Sequence, residues 1–337
     1  MGGDKGEGGE GEGIRAGNFF NELQRRDTTM ILLKLLRNRN FILILAFVLG
    51  LILGRAATYT KPLTLPALAL VMTVSAVQIS SRSLLPLSAL VRPILFAIGF
   101  NYLIHSTVIL VLAKLLMPTP ELWTGAVILA SAPPGVAVIP FTYVLGGNPT
   151  FSLIGTVGAY VAALAIMPAM AHIFLGGGVL SPWKLLPILV ELVIVPIILS
   201  RLLILTGLDR PLDKWRGTIV NWGFFLVTFT VVGLNRTVFL GQPEVLARTS
   251  IIGILSIFGL GYLIQAVSKK LGVKEDRSAS FLLLGTVKNS GFAAATALAL
   301  FSDKASVPGT VISVFIVLYL VWIGIQAERR RNERAVG

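Results

Sequence analysis

The chain has no cysteine among its 337 residues, so disulfides and thiolate metal sites are excluded. Its two histidines, His105 and His172, lie far apart and argue against a metal site. Charge is also scarce: 13% of residues are charged, against about 25% in soluble domains. With 55% hydrophobic residues and a mean hydropathy of +0.82, the composition is that of an integral membrane protein. No Walker-type phosphate loop is present, which argues against a nucleotide-driven pump. Nor is there a nucleophile with a base and an orienting group, so no catalytic residue is assigned, no enzyme is expected and no cofactor is implied.

What is there is a series of apolar segments about the length of a membrane helix. They run over residues 41–57, 63–79, 93–117, 122–145, 151–175, 185–205, 218–234, 250–267, 279–301 and 310–325. Ahead of them, the Gly-rich charged residues 1–28 lack the apolar core of a secretory signal and are expected to form a disordered cytoplasmic tail. Residues 29–40 are basic and amphipathic, as in an interfacial lead-in helix. Residues 328–337 form a basic cytoplasmic tail.

The formal charge of +13 is scattered between apolar runs rather than massed on one face, so it points to membrane topology and not to nucleic acid. With ten spans, 21 of the 29 Lys and Arg residues fall on the amino-terminal side and 7 on the other. The remaining one, Lys288, lies inside a span. This bias predicts both termini in the cytoplasm. The expected location is the plasma (inner) membrane.

Two spans carry helix-breaking residues near their middles. The fourth has Pro133-Pro134-Gly135 and the ninth has Lys288-Asn289-Ser290-Gly291. Proline removes a backbone donor and crowds the preceding turn, while glycine tolerates unwound geometry. The breaks lie 155 residues apart (290 minus 135), each in the fourth span of a five-span half. Five is odd, so consecutive halves, 41–175 and 182–327, must cross the membrane in opposite directions. Paired breaks in inverted repeats point to the binding site of a secondary transporter.

These motifs resemble the bile acid:sodium symporter family. The resemblance rests on Pro134-Gly135, the run Phe141-Thr142-Tyr143-Val144-Leu145-Gly146-Gly147-Asn148, Ser152 and Thr156, and on Lys288-Asn289-Ser290-Gly291-Phe292-Ala293 with the Ala-rich stretch ending at Phe301. Asn40-Phe41 with Gly50 and Gly54 adds to it, and the likeness extends over residues 38–327. The resemblance implies an all-α fold of ten transmembrane helices in two inverted five-helix repeats. In that fold helices 4 and 9 are broken and cross in a core domain (spans three to five and eight to ten), which works against a panel domain (spans one, two, six and seven). Auxin efflux carriers share this broad plan.

One departure bears on mechanism. In sodium-coupled members a Ser-Asn pair after the first break, and a Glu four residues before a Gln at the second, supply oxygen ligands. The matching positions here are Val138, Ile139, Leu284 and Lys288. Ser152 and Thr156 remain, but two hydroxyls do not replace a carboxylate and two amides around a hard cation.

A lysine at bilayer depth is costly and should face protein or water. Three roles are open to Lys288: a fixed cation at the ends of the broken helices, a titrating group coupled to protons, or an anchor for an anionic solute. Glu191, the only acidic residue deep in a span, is a second candidate for proton coupling. Asn289, Ser290, Pro134, Gly135, Thr142, Ser152 and Thr156 complete the candidate substrate- and ion-binding residues. The expected function is secondary active transport of a small organic anion by alternating access, proton-coupled or uncoupled rather than driven by sodium. A permease like the auxin efflux carriers and a non-transporting membrane sensor or receptor are the alternatives. Expected partners are the anion, the lipid bilayer and, as a homodimer, a second copy of the chain.

Overall fold

A computed structural model describes residues 35–36, 38–77, 88–135, 137–176, 187 and 190–336. The amino-terminal tail and most of the lead-in lie outside the described residues. Among the described residues the chain is helical throughout, with one isolated backbone bridge.

Helix α1 (Arg39–Ile52) begins where the Asn38 side chain accepts from Phe41 N at 3.1 Å. It bends by 98° through short turns into α2 (Thr64–Ala76), so the first two apolar segments are joined almost without a loop. Next come α3 (Ala89–Leu116), α4 (Pro120–Ser131), α5 (Val138–Val144), α6 (Pro149–Leu175) and α7 (Val195–Leu205). They are followed by α8 (Arg216–Leu234), α9 (Pro243–Lys270), α10 (Glu275–Thr286), α11 (Ser290–Leu300) and α12 (Val307–Val336). Residues expected to form the basic carboxy-terminal tail continue α12 as helix. Among the described residues, five helices are long and apolar enough to cross a membrane, and a sixth crossing is made if the bent α1–α2 pair counts as one. The fourth and ninth segments fall short of that measure because each is divided by its break. Leucines, valines and isoleucines line the outside of these helices, as lipid contact requires: Leu103, Leu115, Ile173, Leu205 and Leu263 are all more than half exposed.

The helices pack in two groups. In the first, α8 lies against α1 and α2, and α7 against α2. Small residues let α1 and α8 approach closely. A Cβ on Gly50 would stand 2.9 Å from Phe229 O, and one on Gly233 2.5 Å from Ala57 Cβ. The second group holds α3 to α6 and α9 to α12, and meets the first where α11 touches α2 and α8.

Contacts between connections define the two ends of the bundle. At one end Asn148 N, just before α6, donates to Asp276 O of α10 at 3.1 Å. At the other end of the 27-residue α6, Phe174 O accepts from Trp123 Nε1 of α4 at 3.2 Å. The Lys61–Asp303 ion pair, at 2.7 Å, joins the α1–α2 and α11–α12 connections. The α11–α12 connection lies beside α4, because a Cβ on Gly125 would overlap Ala305 O.

A chain without cysteine makes this arrangement testable with single substitutions. Thr150→Cys and Lys274→Cys should be labelled by an impermeant maleimide from one side of sealed membranes, and Tyr59→Cys from the other. Labelling of all three from one side would overturn the assignment of ends.

Candidate functional site

The site begins with two chain breaks that satisfy each other. Helix α4 stops at Ser131 because Pro133 and Pro134 cannot donate, and α10 stops at Thr286. The stretches beyond them pair as a short antiparallel bridge between Pro134 and Lys288. Gly135 N donates to Val287 O and Asn289 N to Pro133 O, both at 2.8 Å. Gly135 is needed for this approach, since a Cβ there would stand 3.0 Å from Lys288 O. Four half-helix ends thus meet: the carboxyl ends of α4 and α10 and the amino ends of α5 and α11.

Lys288 leaves the bridge toward α3 and is only 2% exposed. Its ammonium has three hydrogens, and Nζ has three acceptors: Ala132 O at 3.0 Å, Asn101 O at 3.1 Å and Ser106 Oγ at 3.1 Å. The ring of Tyr102 lies 5.1 Å away, centroid to Nζ. The Asn101 carbonyl is within reach because α3 is π-helical over Gly99–His105, which shifts the usual ladder by one residue. Around it the last carbonyls of α4 are also capped. Ile128 O accepts from Ser131 Oγ, Ala130 O from Ser106 Oγ, and Ala132 O from Asn101 Nδ2 at 3.1 Å as well as from Lys288. A carboxyl-terminal helix end carries partial negative charge, and the ammonium neutralises it.

Asn289 serves the next element. Its Oδ1 accepts from Phe292 N at 3.1 Å and so caps α11, while its Nδ2 donates to Tyr160 OH of α6 at 2.8 Å and lies 3.6 Å from Met72 Sδ of α2. Ser290 points elsewhere. It lines a cleft between the two helix groups, with Leu43 of α1, Phe224 and Thr228 of α8, and Thr310 and Ser313 of α12. Gly135 and Gly291 form part of the same wall.

The other expected site residues divide. Thr142 and Ser152 form a buried pair, with Thr142 Oγ1 donating within reach of Ser152 Oγ (2.9 Å) and Val138 O (2.7 Å). Thr156 lines a separate cleft with Met72, Ser75, Ile139 and Tyr160, and its hydroxyl has no partner among the described residues. Val138 and Leu284 are fully buried apolar side chains. Glu191 is exposed on a π-helical turn, Val190–Ile194, and lines none of these clefts. His105 is buried in α3, and neither ring nitrogen has a partner among the described residues. Sequence reasoning missed Ser106, Tyr160 and the Ala132 carbonyl. A hydroxyl one residue past His105 was the available signal for the first.

An all-helical, lipid-facing bundle whose two broken helices meet beside a cleft is an integral membrane protein with the build of a transporter. The model of the sodium bile acid symporter family matches residues 65–241, more than half of the chain, and the protein belongs to that family, whose members are transporters. The matched segment includes the first break and ends before the second. Comparison with curated proteins returned no match.

The geometry sets the expected effect of losing the amine. In Lys288→Met the carbonyl of Ala132 keeps the Asn101 amide, so the loss is one of charge more than of an orphaned acceptor. The cost should be on the order of 1–3 kcal/mol, seen as a lower melting temperature in detergent. An unchanged melting temperature would mean that the amine contributes nothing to holding α3, α4 and α10 together.

Proposed function

We propose that this chain is a secondary transporter of small organic anions, working by alternating access, with Lys288 as a built-in cation in place of coupled sodium. The observation that carries the proposal is the Lys288 ammonium with its three chain acceptors at the carboxyl end of α4. All three of its hydrogens are engaged, which favours a fixed charge over a titrating group or a direct solute contact. The apolar, buried Val138 and Leu284 support the same reading, because neither side chain offers oxygen to a cation.

Inverted repetition supports alternating access. Helices α4 and α10 start and end at a constant offset, since 275 minus 120 and 286 minus 131 are both 155. The π-helical stretches of α3 and α9 start at the same offset (254 minus 99), as do α6 and the turn leading into α12 (304 minus 149). The loop contacts described above fit ten spans, and the Lys and Arg bias supports both termini on the cytoplasmic side of the plasma (inner) membrane. The helix group α1, α2, α7 and α8 then acts as the panel, and the solute occupies the cleft between it and the breaks.

The cleft favours an anion. The amino end of α11 opens into it, with the Ser290 hydroxyl and the Gly291 amide free of acceptors among the described residues. Thr228 and Ser313 add hydroxyl groups opposite. Helix amino ends attract negative charge, and the nearby ammonium raises the same potential.

A thermal-shift screen of bile acids and small carboxylates on purified protein should first find a stabilising solute. Counterflow of that solute, radiolabelled, in proteoliposomes should then proceed equally in sodium and in choline media. Accumulation that follows an imposed sodium gradient would overturn the sodium-independent reading. Lys288→Gln should abolish or uncouple transport, and an unchanged rate would reduce the residue to a structural part.

A further inference from the structure

A second cavity, of about 760 Å³, lies away from the cleft at the end of the bundle marked by Asn148 and Asp276. Its polar wall is Gln265 and Lys269 of α9, Glu275 and Ser278 of α10 and Gln326 of α12, so one ammonium stands with one carboxylate. Val144, Leu145 and Gly146 at the end of α5, with Leu282 and Ile323, supply apolar area. The side-chain polar atoms of Gln265, Ser278 and Gln326 have no hydrogen-bond partner among the described residues. A volume of this size is within the range that holds a small-molecule group.

The repeat explains why the cavity is there, and to that extent the inference rests on the repeat reading above. At the offset of 155 residues, Ser278 corresponds to Trp123, Gln265 to Leu110, Gln326 to Ala171, and Gly146 to Phe301. In the first half that space is filled: Leu110 and Ala171 are buried, and Lys114 stands 5.4 Å from the Trp123 ring. Lys114 is the counterpart of Lys269. So one half packs a tryptophan beneath its lysine, whereas the other has serine in place of the tryptophan, glutamine in place of a leucine and glycine in place of a phenylalanine, and a cavity opens there.

We propose that this cavity binds the phosphate-bearing headgroup of a membrane lipid. An ammonium, two primary amides and a hydroxyl can all donate to phosphate oxygens. Lys270, Lys274 and Arg329 are exposed around the same end of the bundle and add positive potential. The lipid is favoured over a free phosphate compound by the apolar half of the wall and by Val267, Leu271 and Ile325, exposed on the adjoining helices where acyl chains can lie.

Melting of the purified full-length protein in detergent tests this with three probes: dihexanoyl phosphatidylglycerol, glycerol 3-phosphate, and dihexanoylglycerol. Only the phospholipid should raise the melting temperature. Lys269→Gln should bind it about tenfold more weakly. Ser278→Trp, which restores the residue of the other half, should lose the shift. Should the tryptophan variant not fold, Lys269→Gln decides alone. The proposal fails if wild type shows no shift, if the variants respond as wild type does, or if glycerol 3-phosphate stabilises as well as the lipid. Counterflow of the transported solute by the same preparations reads the transport assignment separately, because the lipid shift needs only the cavity.

Discussion

One buried ammonium fixes how the two broken helices meet. Where α4 and α10 are interrupted, each loses the intrahelical partners that would satisfy its last carbonyls, and a membrane interior offers no water to replace them. The two breaks answer part of this by bonding to one another through Gly135, Val287, Pro133 and Asn289. Ser131, Ser106 and Asn101 cap further α4 carbonyls, and Lys288 adds its charge there, its hydrogens joining α3, α4 and its own segment at one point. A metal ion would supply charge without donating hydrogen bonds, and would require a set of oxygen atoms converging on it. The lysine supplies both charge and directed donors, and it travels with the chain.

Much of this was legible in the residues. Two prolines and a glycine in the middle of one apolar segment, and a lysine, asparagine, serine and glycine in the middle of another, announced two breaks. Their separation of 155 residues, close to half the chain, pointed to a repeat. The family resemblance then assigned Val138, Leu284 and Lys288 to positions where oxygen ligands are expected elsewhere. What could not be read were the partners of the amine. Two are backbone carbonyls, which every residue has, and one of these is presented by a π-helical register in α3 that side-chain patterns do not encode. Glu191 shows a different limit. Its depth in an apolar run suggested a role in proton coupling, but hydrophobicity gives depth and not facing, and the residue is exposed on its π-helical turn. Thr142 and Ser152 were grouped with the site by the family resemblance, and in the fold they bond to each other.

Several helix boundaries recur at an offset of 155 residues, yet the side chains at matching positions do not. The position equivalent to Lys288 in the first half is Pro133, and the position equivalent to Trp123 in the second is Ser278. Backbone geometry survives such divergence because it is enforced by proline, glycine and close helix packing, which tolerate change elsewhere on the same helices. Side chains that point into the shared interior are free to specialise, and each half has used that freedom at a different depth.

The ion pair between Lys61 and Asp303 links the two helix groups, and both partners are almost half exposed. Such a pair contributes at most about 1 kcal/mol and is weakened by any dissolved salt. Its effect is therefore blind to the identity of the cation. Raising ionic strength loosens this end of the bundle with potassium or choline as readily as with sodium, so a salt-dependent transport rate in this protein is a statement about a surface latch before it is one about a coupling ion.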